Sequence, residues 1–169
     1  MGIPEVDPTA GSPLLRLGAR LTGNTPGRWI TRRVAPRVDR QLLRLSKGRL
    51  SSAVVTPELL LVHTGAKTGR RRTTPLTYFT DAGRAVVIAS NYGGSRHPSW
   101  YYNVLAHPRV TIRAGGHTGT FVGREVTGAE RERLWQLAVD FIPSYAQYER
   151  LAARRTIPVL VFTEVGDDA

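Results

Sequence analysis

Leu59-Leu60-Leu61-Val62 runs toward Thr64-Gly65-Ala66-Lys67-Thr68-Gly69-Arg70-Arg71-Arg72-Thr73-Thr74-Pro75-Leu76. A short apolar run, a glycine-flanked turn and a threonine-rich run read together as strand, turn and strand. The cationic side chains are thereby gathered at the mouth of a hairpin instead of being spread over a helix. Glycine tolerates positive φ and lets backbone N–H groups come close to an anion, while Lys67 offers a point charge and Arg72 a planar fork. Those residue types in that order suit a multiply charged anion. A solvated arginine-rich turn is the plainer alternative. A nucleotide-binding P-loop is excluded, because it needs four residues between its first glycine and a Gly-Lys-Ser/Thr that opens a helix. Here the lysine precedes the glycine, and Thr73, Thr74, Thr77, Tyr78 and Phe79 favour strand.

Downstream, the runs 73–80 and 84–90 flank Asp81-Ala82-Gly83, whose glycine suits a hairpin and brings Lys67 and Ser90 into one sheet. A glycine-rich loop, Asn91-Tyr92-Gly93-Gly94-Ser95, leads to a short helix that Pro98 opens and Pro108 ends. Residues 110–113 and 118–126 form a second hairpin about Gly115-Gly116. Thr127 stands three residues before Glu130, a capping-box pattern, and Leu134, Leu137, Ala138 and Phe141 give the next helix a buried stripe. Pro143 interrupts it, a short helical piece carries Tyr145 and Tyr148, and Ile157-Pro158-Val159-Leu160-Val161-Phe162 closes the chain as a strand. About six mostly antiparallel strands with three or four helices make an α+β molecule, a small β-barrel with peripheral helices.

Upstream, residues 1–13 are rich in proline, glycine and small polar side chains and are expected to lack fixed structure. Residues 14–50 read as a basic amphipathic helical stretch: Ile30, Val34, Val38, Leu42 and Leu45 recur at helical spacing, with Arg33, Arg37, Arg40 and Arg44 on the other side. Pro36 breaks or kinks it. The chain therefore divides into an extension, residues 1–50, and a barrel domain, residues 51–169.

The 169 residues suffice for one real core. The absence of cysteine removes disulfides and thiol chemistry, so redox work requires a borrowed cofactor. A net charge of +11 and a pI near 11.1, carried almost wholly by arginine, call for acidic partners. The chain has no run of about 18 apolar residues and no basic, apolar-cored start, so the expectation is a cytoplasmic protein. His63, His97, His107 and His117 show no repeated ligand spacing, and no metal site is expected. The cluster around residues 67–72 lacks interleaved aromatics, which argues against nucleic acid.

Three ordered sets, Thr64-Gly65-x-Lys67-Thr68-Gly69-x-x-Arg72-x-x-Pro75-Leu76, Ala89-Ser90-x-x-Gly93-Gly94 and Pro98-x-Trp100-Tyr101-x-Asn103-x-x-Ala106-x-Pro108, resemble the deazaflavin-dependent nitroreductase family of actinobacteria. The matching region covers roughly the last two-thirds of the chain. The resemblance implies a split β-barrel related to the flavin reductases and pyridoxamine-phosphate oxidases, the deazaflavin coenzyme F420, and reduction of quinones or nitro compounds. It further implies that Lys67 and Arg72 hold the phosphate and carboxylates of the coenzyme's phospholactyl-oligoglutamate tail, with Thr68, Gly69 and Arg71 nearby. Pro75, Ala89 and Ser90 are then expected along the deazaflavin ring, and Trp100 and Asn103 against it from the short helix. Ser90 is expected to orient ring or acceptor during hydride transfer from C5, and Tyr145 or Tyr148 to stack on a planar acceptor and help deliver a proton.

Two departures accompany the match, one at Thr77 and one at Phe141, which stands near a further aromatic of the family with imperfect spacing. Thr77 stands where the family commonly has a tyrosine after the Pro-Leu pair, and Tyr78 follows on the opposite face if strand alternation holds. A membrane quinone as acceptor would give residues 14–50 a purpose, holding the pocket at the inner face of the cell membrane. Flavin mononucleotide or another ligand in the same barrel, or a non-catalytic binder of membrane or nucleic acid, are the alternatives.

Overall fold

The computed structural model describes residues 2–9, 56–152 and 155–166. The basic stretch 14–50 lies outside the described residues. Seven strands form one sheet: β1 (Glu58–Thr64), β2 (Arg71–Thr77), β3 (Phe79–Asp81), β4 (Arg84–Ile88), β5 (Arg109–Ala114), β6 (His117–Val126) and β7 (Val159–Val165). A 3₁₀ turn, Asn91–Gly93, and helix α1 (Ser99–Ala106) join β4 to β5, while α2 (Gly128–Phe141) and α3 (Ser144–Leu151) join β6 to β7.

The strand order is β2-β1-β5-β6-β7-β4-β3, and every pair is antiparallel. The two edges of this order, β2 and β3, are consecutive in the chain and separated only by Tyr78. The sheet consequently curls into a barrel whose edges are joined by the chain itself. The run 73–80, read as one strand, is split at this point because it must serve both edges.

Alternation along each strand sorts the apolar residues into two cores. Leu59, Leu61, Tyr78, Ala85, Val87, Val110, Ile112, Phe121, Leu160 and Phe162 fill the barrel, and Trp100, Tyr101 and Val104 of α1 close one end. The intervening residues, including Phe79, Val86, Ile88, Val159 and Val161, pack outside against α2 and α3 through Leu134, Trp135, Ala138, Phe141, Tyr145 and Tyr148. The helical stripe thus includes Trp135, whereas Leu137 is only half-buried.

Two local expectations are corrected. Thr127 is the N-cap residue of α2, yet its side chain makes no capping hydrogen bond. The Glu130 carboxylate does not turn back to it, accepting instead from Arg84 at 2.8 Å and Arg124 at 3.1 Å. Charge-assisted bonds to two guanidinium groups outweigh one bond to a backbone amide. Residues 2–9 are fixed against the barrel: the Val6 N–H donates to Thr80 Oγ1 at 2.8 Å, Thr80 N–H donates to the Val6 carbonyl at 2.9 Å, and the Tyr78 hydroxyl donates to the Pro4 carbonyl at 3.1 Å. Ile3 and Val6 pack on the barrel core, so apolar contact outweighs a composition typical of loose termini.

Candidate functional site

The turn between β1 and β2 is closed by its own backbone. Gly65 N–H donates to the Arg70 carbonyl at 2.9 Å, and the Gly65 carbonyl accepts from Thr68 at 3.2 Å and Gly69 at 2.8 Å. Gly69 has φ 62°, the left-handed conformation that reverses the chain after one helical turn. The Thr68 hydroxyl accepts weakly from Arg70 N–H at 3.4 Å, so it stiffens the turn. A β-carbon on Gly65 would stand 2.6 Å from Thr68 Oγ1 and 3.3 Å from Arg72 Nε, so the bare glycine lets the Arg72 side chain pass close beside the turn.

Lys67, Arg70, Arg71 and Arg72 are exposed, and among the described residues none forms an ion pair with a carboxylate. Arg84, Arg124, Arg131 and Arg133 have carboxylate partners, while Arg96, Arg109, Arg113 and Arg150 have none among the described residues, so what sets residues 67–72 apart is that four such cations stand together. Lys67 and Arg70 on the backbone-locked turn, with Arg71 and Arg72 at the start of β2, form a cationic cluster whose chemistry fits an acidic tail.

Asn103 holds this turn from beneath. Its Oδ1 accepts from Ala66 N–H at 2.9 Å, and its Nδ2 donates to His63 Nδ1 at 3.1 Å. An amide nitrogen only donates, so His63 Nδ1 is the acceptor and the ring proton sits on Nε2, which donates to Thr74 Oγ1 at 3.0 Å. Burial, and then the Arg72 charge beside it, lower the His63 pKa to about 4 and keep the ring neutral.

Strand register decides which of the expected site residues share a face. His63 lies opposite Arg72, Leu61 opposite Thr74 and Leu59 opposite Leu76, all on the barrel-interior side. Pro75, opposite Leu60, and Arg71, opposite Thr64, lie on the other face of β2. Ala89 and Trp100 belong to the interior core, and the structure does not bring Pro75 onto their surface. Leu76 and Tyr78 both contact the interior core, so Thr77 and Tyr78 do point to opposite faces. Burial raises the Tyr78 pKa to about 12.

Ser90 follows Ala89 at the end of β4 and starts the 3₁₀ turn. Its carbonyl accepts from an Arg155 Nη at 2.6 Å. The same guanidinium donates to the Gly94 carbonyl at 2.9 Å and to His97 Nδ1 at 3.0 Å, fixing the whole loop 90–97. Burial and the Arg155 charge lower the His97 pKa. Tyr145 and Tyr148 are 7% exposed and belong to the outer core, where their rings pack edge-on at 6.1 Å. Tyr148 reaches the Ser90 loop through Tyr92, 5.9 Å away. The structure thus gathers Lys67, Thr68, Gly69, Arg72 and Asn103 at one turn. It places Ala89 and Trp100 in one core, and sets Tyr145 and Tyr148 across β4 from that core.

His63 and Arg155 were not legible as site residues. A histidine ending an apolar strand run is a weak signal for His63. Arg155 has no local signal, because its three acceptors are 58 to 65 residues away.

Comparison with known proteins agrees with this arrangement. A family model described as F420H(2)-dependent quinone reductase matches residues 35–164. An F420H(2)-dependent quinone reductase of Mycobacterium tuberculosis is 36% identical over 148 residues, covering 80% of this chain and 96% of that protein. The solved structure of an F420-H2 dependent reductase, FDR-A, is 40% identical with a TM-score of 0.58, covering 63% of this chain and 94% of its own. The heme storage protein HutZ of Vibrio cholerae shares only the fold, at 11% identity and a TM-score of 0.50 over 66% of this chain and 83% of its own. The split β-barrel, the cation-bearing turn of β1 and β2, and a match over most of the chain place this protein in the F420H(2)-dependent quinone reductase family.

Proposed function

We propose that Lys67 and Arg72, with Arg70 and Arg71 beside them, hold the phosphate and carboxylates of the coenzyme F420 tail. We further propose that Ala89, Ser90 and Trp100 line the place of its ring. The chain is an F420H(2)-dependent oxidoreductase with a quinone-type acceptor. The observation that supports the residue assignment is the cluster of four exposed cations on the 65–70 turn and the start of β2, none with a carboxylate partner among the described residues. When bound, the reduced deazaflavin supplies the hydride. The protein supplies a rigid anchor for the tail, a loop fixed by Arg155 and an apolar enclosure.

Ser90 directly follows Ala89 of that enclosure and is assigned the orientation of ring or acceptor. Tyr145 and Tyr148, buried in the outer core, are assigned the acceptor only through movement of the 90–97 loop that Tyr92 joins to them. Burial raises the Tyr145 pKa well above the usual phenol range, so it acts as a neutral hydroxyl. Anaerobic oxidation of F420H(2) by a soluble naphthoquinone, compared with a nitroaromatic, tests the reading. Ser90→Ala is expected to lower kcat about tenfold with little change in coenzyme affinity. An unchanged kcat would remove Ser90 from the site. Contact of the basic stretch 14–50 with an anionic membrane is a further part of this proposal, and it predicts co-sedimentation with anionic but not zwitterionic vesicles at low salt.

A further inference from the structure

Asn103 has both ends of its amide committed inside the protein, one to Ala66 N–H at 2.9 Å and one to His63 Nδ1 at 3.1 Å. His63 is 3% exposed, is fixed in one tautomer by the Asn103 amide nitrogen, and lies opposite Arg72 across β1 and β2. A short polar chain therefore runs from the barrel wall through His63 and Asn103 to the backbone of the turn that carries the cations. From this geometry we infer that His63 and Asn103 are positioning residues for the tail-holding turn: they set the affinity for the anionic tail by holding the turn's backbone. The inference rests on the tail-holding role proposed above for Lys67 and Arg72. It gives Asn103 a support of the turn as a role of its own. A neutral histidine serves here because it accepts at one nitrogen while donating at the other, which neither a lysine nor a protonated imidazole does.

The test is binding by fluorescence of two oxidised ligands, coenzyme F420 and the deazaflavin riboside that lacks the phospholactyl-glutamate tail. Proteins compared are the wild type, His63→Phe, Asn103→Leu and, as reference, Arg72→Ala, each with its melting curve. Both supports are expected to weaken F420 binding about tenfold and to leave the tail-free riboside within about twofold, since an unanchored turn loses pre-organisation only for the tail. Equal weakening of both ligands, or no weakening of F420, overturns the inference. If His63→Phe or Asn103→Leu fails to fold, Thr74→Val removes only the acceptor of His63 Nε2–H, and the same tail-selective loss at smaller size is required. If Arg72→Ala leaves F420 affinity intact, the tail-holding reading falls and this inference with it. If Arg72→Ala weakens F420 while the supports do not, only this inference falls.

Discussion

An arginine that meets phosphate and carboxylate with a planar fork is poorly replaced by the point charge of a lysine. Arg72→Lys should therefore cost about tenfold in F420 affinity, about 1.4 kcal/mol, even though net charge is kept. A titration giving wild-type affinity would reduce Arg72 to a diffuse charge. His63 makes a second residue-scale prediction. Its folded pKa of about 4 lies below its ordinary 6.5, so between those values the unfolded chain binds more protons than the folded one. Stability is fully present above pH 6.5 and is lost as pH falls toward 4, by at most about 3 kcal/mol. Denaturant unfolding from pH 4 to 7 should show this slope, and His63→Phe should flatten it.

At the scale of elements, the Ser90 loop is wedged between β4 and α3. Gly93 has φ 71°, and a β-carbon there would lie 2.7 Å from Leu151 Cβ and 2.8 Å from the Tyr148 carbonyl. Gly93→Ala should destabilise by about 2 kcal/mol or more, measured as a lowered denaturation midpoint, since both a backbone and a fixed Cβ stand in the way. A neutral outcome would mean that α3 is free to move away. The strands were legible because each turn carries its own glycine or Asp-Ala-Gly signal, and the hairpins about residues 81–83 and 115–116 stand where those signals put them. What was illegible depends on partners distant in sequence. Glu130 had the spacing of a capping box, but Arg84, 46 residues away, takes its carboxylate. Asn103 was expected to contact the coenzyme, and nothing local reveals that its amide also bonds Ala66 and His63. The bend at Tyr78 arises from barrel closure, which no local pattern encodes.

For the whole molecule, residues 2–9 act as a strap over the joint between β2 and β3, through Pro4, Val6 and the packing of Ile3. Removing residues 2–9 should lower the melting temperature by about 2–4 °C, the equivalent of about 1 kcal/mol in a chain of this length. An unchanged melting curve would show that the strap only rests on the surface. The charge of +11 belongs to this scale as well, because it draws a polyanionic ligand toward the barrel from any direction. Among the described residues, the 65–70 turn combines exposed cations with a backbone held by Asn103.

Fluorescence titration of the full chain with oxidised coenzyme F420, at low and high salt, beside Lys67→Ala and Arg72→Ala variants, tests the tail-holding turn most directly. Binding by the wild type should weaken as salt rises, and each variant should lose affinity about tenfold or more while melting like the wild type. Wild-type affinity in both variants would contradict the assignment and move the anion seat away from this turn.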